Sequence, residues 1–190
     1  MSDQSASDAA PGQATPQHFA ALWADDDREP LPLVGSEREI LTRSLDWYRD
    51  TLVLKCSGLT PQELSKRSVP PSGMSLHGLL RHLAGVERWW FRIQLGGEEA
   101  PMLYYSNEDP EQDFDRLDGD PAEVLAVWRR ECERSREIVA AMDLDATGVH
   151  KRTGDPVSVR RVLVWMIAEY ARHGGHADLL RERIDGATGH

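Results

Sequence analysis

Only two of the 190 residues are cysteine, Cys56 and Cys132, and neither has the close spacing of a zinc knuckle or a redox pair. Each falls inside a helical pattern, so both are read as reduced thiols. No run of about 18 apolar residues is available to cross a bilayer. The opening residues lack the basic start and apolar stretch of a secretory signal, so the cytoplasm is the expected location and a membrane is not an expected partner. A basic run is also missing. Lys and Arg number 22 against 32 Asp and Glu, a net charge of -10, which repels a duplex or an anionic bilayer; no nucleic acid is expected as a partner. Sustained period-two alternation and repeats are absent too, which argues against a core sheet and against a solenoid.

What the chain does contain is helical periodicity after a polar start. Residues 1–32 are rich in Ser, Asp, Ala, Pro and Gln, too poor in apolar area to offset the entropy of ordering, and are expected to form a flexible, disordered tail; its Phe19, Leu22 and Trp23 form a short apolar patch. From Ser36, capping-box spacing to Glu39 precedes Leu41, Leu45, Tyr48 and Leu52, which predicts a helix ending near Gly58. A second begins at Ser75 after Pro70, Pro71 and Gly73, buries Leu76, Leu79, Leu80, Leu83, Val86 and Trp90, and stops at Gly96 and Gly97. The acidic stretch 98–120, interrupted by Pro101 and Pro110, reads as a long crossover held by Tyr104 and Tyr105. Asp120, Pro121 and Glu123 start a third helix, whose seam is Leu125, Trp128, Cys132, Ser135, Val139 and Met142. A fourth runs from Val157 to Ile184 after a turn around Gly154. The expected fold is therefore all-α, one bundle domain over 33–186.

At 100° per residue, Val162, Met166, Glu169, His173, His176 and Leu180 fall within an arc of roughly 80° on the fourth helix. Metal-competent side chains thus share the core-facing stripe. A buried carboxylate and two buried imidazoles are unfavourable unless paired, and a divalent cation satisfies all three. Gly174 and Gly175 between the histidines cost about 1 kcal/mol each relative to Ala, so the position needs either open space or a tight helix crossing. His82 on the second helix shares a face with Leu79, Val86 and Trp89, and opposite His173 and His176 it would complete a three-imidazole set with a position left open. The plainer alternatives are a hydrogen-bonded boundary residue at His82 and an ordinary i,i+4 helix pair at Glu169 and His173. His77, His150, His18 and His190 are read as solvated.

The segments LLRHLAGVERWWF (79–91) and EYARHGGHADLLRERIDG (169–186) resemble the DinB superfamily, and more narrowly its uncharacterised actinobacterial branch, over roughly 33–186. The resemblance implies a four-helix bundle of up-down-down-up topology and a divalent metal, zinc or nickel, with His82 and His176 as ligands. Many relatives carry a histidine four residues before the last ligand, where this chain has Arg172, while His173 lies three before. The mycothiol-dependent maleylpyruvate isomerases instead use a Glu and a His four apart, as Glu169 and His173 are, so the third ligand is one of these two. The superfamily includes S-transferases using mycothiol, bacillithiol or glutathione.

Two functions follow. In the first, His82, His173 and His176 hold a metal that activates a small-molecule thiol, mycothiol foremost, for attack on a small electrophile, with Glu169 as a further ligand, an orienter of an imidazole or a proton acceptor. In the second, the chain is a non-catalytic, metal-binding, stress-associated bundle, with a homodimer as one form it can take. No Ser or Cys is placed as a nucleophile.

Overall fold

The computed structural model of the chain describes residues 26–189. Most of the expected tail, including Phe19, Leu22 and Trp23, lies outside the described residues, as do His18 and His190. Its final part is anchored. The Arg28 guanidinium sits 4.4 Å from the Trp47 ring centroid and donates to Thr51 Oγ1, a cation–π and hydrogen-bond tie that the polar composition of the segment did not signal.

Local rules set the helix starts. Ser36 accepts from the Glu39 amide at the head of α1 (Glu37–Cys56), and a Thr60–Glu63 capping box opens the short α2 (Pro61–Leu64). Ser75 caps α3 (Leu76–Glu87), which continues without a break into a π-helical segment, Arg88–Leu95; the Gly96 amide reaches back five residues to Phe91 O. After the one-turn α4 (Gln112–Asp115), Asp120 caps α5 (Pro121–Ala140) with Pro121 at its first position. A hairpin of three-residue strands, β1 (Thr147–Val149) and β2 (Pro156–Ser158), then leads into α6 (Val159–Asp185), which Gly186 ends in the left-handed region at φ 80°. The fourth helix therefore starts two residues later than its periodicity suggested, because Val157 and Ser158 belong to β2 and Ser158 supplies the cap.

Side-chain pairs along the helices fix their directions. Glu37 meets Arg160 and Lys55 meets Asp178, so α1 and α6 run parallel. Arg81 reaches the Asp118 carbonyl, Glu87 meets Ser135 and Arg92 meets Glu131, so α3 and α5 are parallel as well. Arg38 donates to Val139 O while Asp46 pairs with Arg136, which makes α1 and α5 antiparallel. The topology is up-down-down-up, and residues 96–120 are the crossover that two parallel neighbours require.

The core is built from Leu45, Leu79, Leu83, Phe91, Val162, Leu163 and Met166, all at most 1 % exposed, each worth about 1.5–3 kcal/mol relative to exposure. At its centre lies one carboxylate that touches all four long helices. Glu87, fully buried, accepts from Arg49 Nε (2.8 Å) and Nη2 (2.7 Å) on α1, from Ser135 Oγ (2.7 Å) on α5 and from Tyr170 Oη (2.7 Å) on α6. Trp128 Nε1 donates to the same Tyr170 oxygen. The paired charge leaves no acceptor orphaned, and by holding Tyr170 it fixes the rotation of α6 beside Glu169.

Candidate metal centre

One turn from that carboxylate, α3 and α6 bring His82, Glu169 and His173 together. Their ligand atoms all lie within 4.8 Å of one another. His82 Nε2 and His173 Nε2 each stand 3.3 Å from the same oxygen, Glu169 Oε1. Two atoms each about 2.1 Å from one tetrahedral ion are themselves about 3.4 Å apart, so both spacings fit donors that share a cation. The fit extends to chemistry: two imidazole nitrogens and a carboxylate oxygen are an ordinary set for zinc, with a fourth position for another ligand.

Each imidazole is also held from behind. His82 Nδ1 is 2.8 Å from Asp113 Oδ2 on α4, which turns Nε2 toward the site. His173 Nδ1 is 3.3 Å from His176 Nδ1. Arg172, itself largely exposed, donates to Glu169 Oε2 at 2.8 Å and so completes that carboxylate's partners.

Electrostatics follow from these contacts. Hydrogen bonds from His173 and His82, against the opposing effect of burial, hold the Glu169 carboxyl far below the usual carboxylate range. Burial disfavours charge on His82, but its hydrogen bonds to Asp113 and Glu169 outweigh it and raise its pKa to about 9. His176 is held below the ordinary imidazole value by burial and then by His173 and Arg172. In the metal-free protein the proton on His82 stands where a cation would bind.

The sequence expectation was a set of His82, His173 and His176 with Glu169 in a catalytic role. The structure brings His82 and His173 together with Glu169, and His176 stands outside that group, half-buried, behind His173. Gly174 and Gly175 have nothing within 4 Å of an added Cβ, so open space and not a tight crossing accompanies them. His77, expected in solvent, is fully buried with Nδ1 3.0 Å from Ser65 Oγ, because the turn after α2 folds over the start of α3. His150, also expected in solvent, packs on Trp90 with ring centroids 5.8 Å apart. Asp113 was missed: its partner is 31 residues away, and the only hint was the length of the crossover that carries it.

A family model described as mycothiol S-transferase matches residues 40–186. The chain belongs to the mycothiol S-transferase family. This agrees with the DinB-type reading of the two motifs, since the matched span contains both 79–91 and 169–186. No curated protein matches the chain significantly. Among solved structures, a conserved protein from Enterococcus faecalis is similar at 13 % identity with a TM-score of 0.63, over 80 % of this chain and 99 % of that one, a likeness of fold. Among the described residues, His82, Glu169 and His173 form the only cluster of donors placed to hold one metal ion.

Proposed function

We propose that the protein is a metal-dependent S-transferase that joins a low-molecular-weight thiol, mycothiol foremost, to a small electrophile. The observation that carries this reading is the convergence of His82 Nε2 and His173 Nε2 on Glu169 Oε1, in a chain of the mycothiol S-transferase family. His82, Glu169 and His173 would hold the ion, zinc being the first choice for two imidazoles and a carboxylate. Bound there, a divalent cation supplies the charge that lowers the pKa of a thiol from about 8.5 into the neutral range.

The chain's own residues divide the remaining work. Asp113 and His176 orient the two imidazoles, and Arg172 holds the second oxygen of Glu169. A carboxyl kept ionised by two imidazoles is a weak proton acceptor and a good ligand, which favours the ligand role for Glu169. No protein thiol competes as nucleophile. Burial pushes Cys56 up to about 12 and raises Cys132 well above its ordinary value, so both stay protonated. The reacting sulfur must therefore arrive with a small molecule, and its proton leaves to solvent.

The test incubates zinc-loaded protein with mycothiol, bacillithiol, glutathione and cysteine against a bimane electrophile, beside His173→Ala and His176→Ala. Transfer is expected to be fastest with mycothiol, lost in His173→Ala and reduced by about 10–100-fold in His176→Ala. Equal rates for wild type and His173→Ala with all four thiols would reject transfer and leave a metal-binding bundle without catalysis.

A further inference from the structure

Beside His82 the surface opens into a cleft of about 370 Å³, walled by Trp89, Trp90, Met102, Tyr105 and His150. A second cleft of about 340 Å³ shares Trp90 and His150 with it and continues to Trp165 on α6. The two form one aromatic groove leading away from the candidate metal centre, with Trp90 and Trp165 ring centroids 6.2 Å apart. Trp89 and Trp90, consecutive in the π-helical segment, both line the first of these clefts.

The groove also has a sign of charge. In a chain of net charge -10, the Arg152 guanidinium lies 5.2 Å from the Trp89 ring centroid and that of Arg161 lies 5.1 Å from the Trp165 ring centroid. Among the described residues neither has a carboxylate partner; Arg152 makes one long hydrogen bond, 3.5 Å to Tyr105 Oη, although Asp155 lines the far cleft. Arg134, Arg136 and Arg160, elsewhere on the surface, are by contrast bound to acids. A guanidinium laid on an indole and left without an anion keeps its planar fork free for one.

We propose that this groove binds the electrophile, and that it selects flat, conjugated anions: the ring packs among Trp89, Trp90 and His150, and a carboxylate pairs with Arg152. This rests on the transferase reading for calling the ligand an electrophile, but recognition of the anion is measured without any thiol. With a chlorodinitrobenzoate the balanced step is substitution. The thiolate sulfur forms a bond to the ring carbon that bears chlorine, the C–Cl bond breaks, chloride leaves with the electron pair, and the thiol proton goes to solvent.

Binding is read by tryptophan fluorescence with dinitrobenzoate, which lacks the leaving chlorine, against dinitrobenzamide of the same shape, using zinc-loaded protein. The carboxylate is expected to bind about tenfold more tightly than the amide. Arg152→Gln should erase that preference while leaving amide binding unchanged, which also shows that the groove is still folded. Mycothiol should not displace dinitrobenzoate. Equal affinity of carboxylate and amide in the wild type, an undiminished preference in Arg152→Gln, or displacement by mycothiol would each overturn the proposal. An intact preference in protein that fails to transfer any thiol to chlorodinitrobenzoate would sink the transferase reading and leave the anion site standing.

Discussion

The imidazoles of His82 and His173 are aimed by their neighbours more than by their own helices. A free His82 rotamer could present either nitrogen to the bundle, and the 2.8 Å contact of Nδ1 with Asp113 selects Nε2 for the site. The same contact favours charge on the ring, so Asp113 both orients the donor and raises the proton affinity that a metal must overcome. Orientation dominates once a metal is bound, because a mis-aimed ring supplies no bond. Asp113→Ala is accordingly expected to weaken zinc affinity by about 10–100-fold with helix content unchanged, α4 being one turn at the bundle's edge. Competition with a chromophoric chelator measures it, and an unaltered affinity would show that packing against Phe114, whose ring centroid is 5.4 Å from that of His82, aims the ring instead.

Elements divide by how locally they are encoded. The caps at Ser36, Ser75, Asp120 and the stop at Gly96 were legible because their chemistry sits within a few residues, and the four long helices follow from them. The π-helical turn was not, since a wider turn carries the same apolar pattern as an α-helical one over eight residues. The hairpin was hidden because three-residue strands are too short to alternate. Of the site, His82, Glu169 and His173 could be read from their place on apolar faces, but Asp113 and the burial of Glu87 depend on partners from other helices. Two glycines make the contrast testable. A Cβ at Gly148 would stand 2.0 Å from Gln94 O and 2.6 Å from Leu95 Cα, backbone that cannot yield, so β1 lies against the π-helical segment only as glycine. A Cβ on Gly175 meets nothing. In chemical denaturation Gly148→Ala should destabilise the protein by about 1–3 kcal/mol, whereas Gly175→Ala should stabilise it by up to about 1 kcal/mol. Matching signs would mean that the hairpin can lift from the helix freely, which would loosen His150 and Arg152 as walls of the groove.

On the scale of the whole molecule, the site couples folding, protons and metal. Among the described residues no helix is long and apolar enough to cross a membrane, and stability rests on one bundle core that the Arg49–Glu87 pair threads. In the metal-free protein His82 has its folded pKa raised to about 9, so its contribution to stability is fully present below the unfolded value of about 6.5 and is lost as pH rises through 9. A cation binds the deprotonated ring and must displace that proton. Zinc at about a hundred times its Kd stabilises the folded state by about 2.7 kcal/mol, which for a chain of this size raises Tm by about 5–10 °C. The sign of the pH dependence follows: between about pH 6 and pH 8 the proton competes most strongly at the acid end, so the zinc-induced rise in Tm should grow with pH, while the His82 contribution to Tm without metal should decline over the same range. Calorimetric titration in two buffers of different ionisation enthalpy should register about one proton released per zinc bound near pH 7, and a chelator should reverse the gain in Tm. His173→Ala should abolish both the rise and the proton release, since Glu169 and His82 alone leave too few donors. A zinc effect of equal size at both ends of the pH range, or one that survives in His173→Ala, would place the metal somewhere other than between α3 and α6.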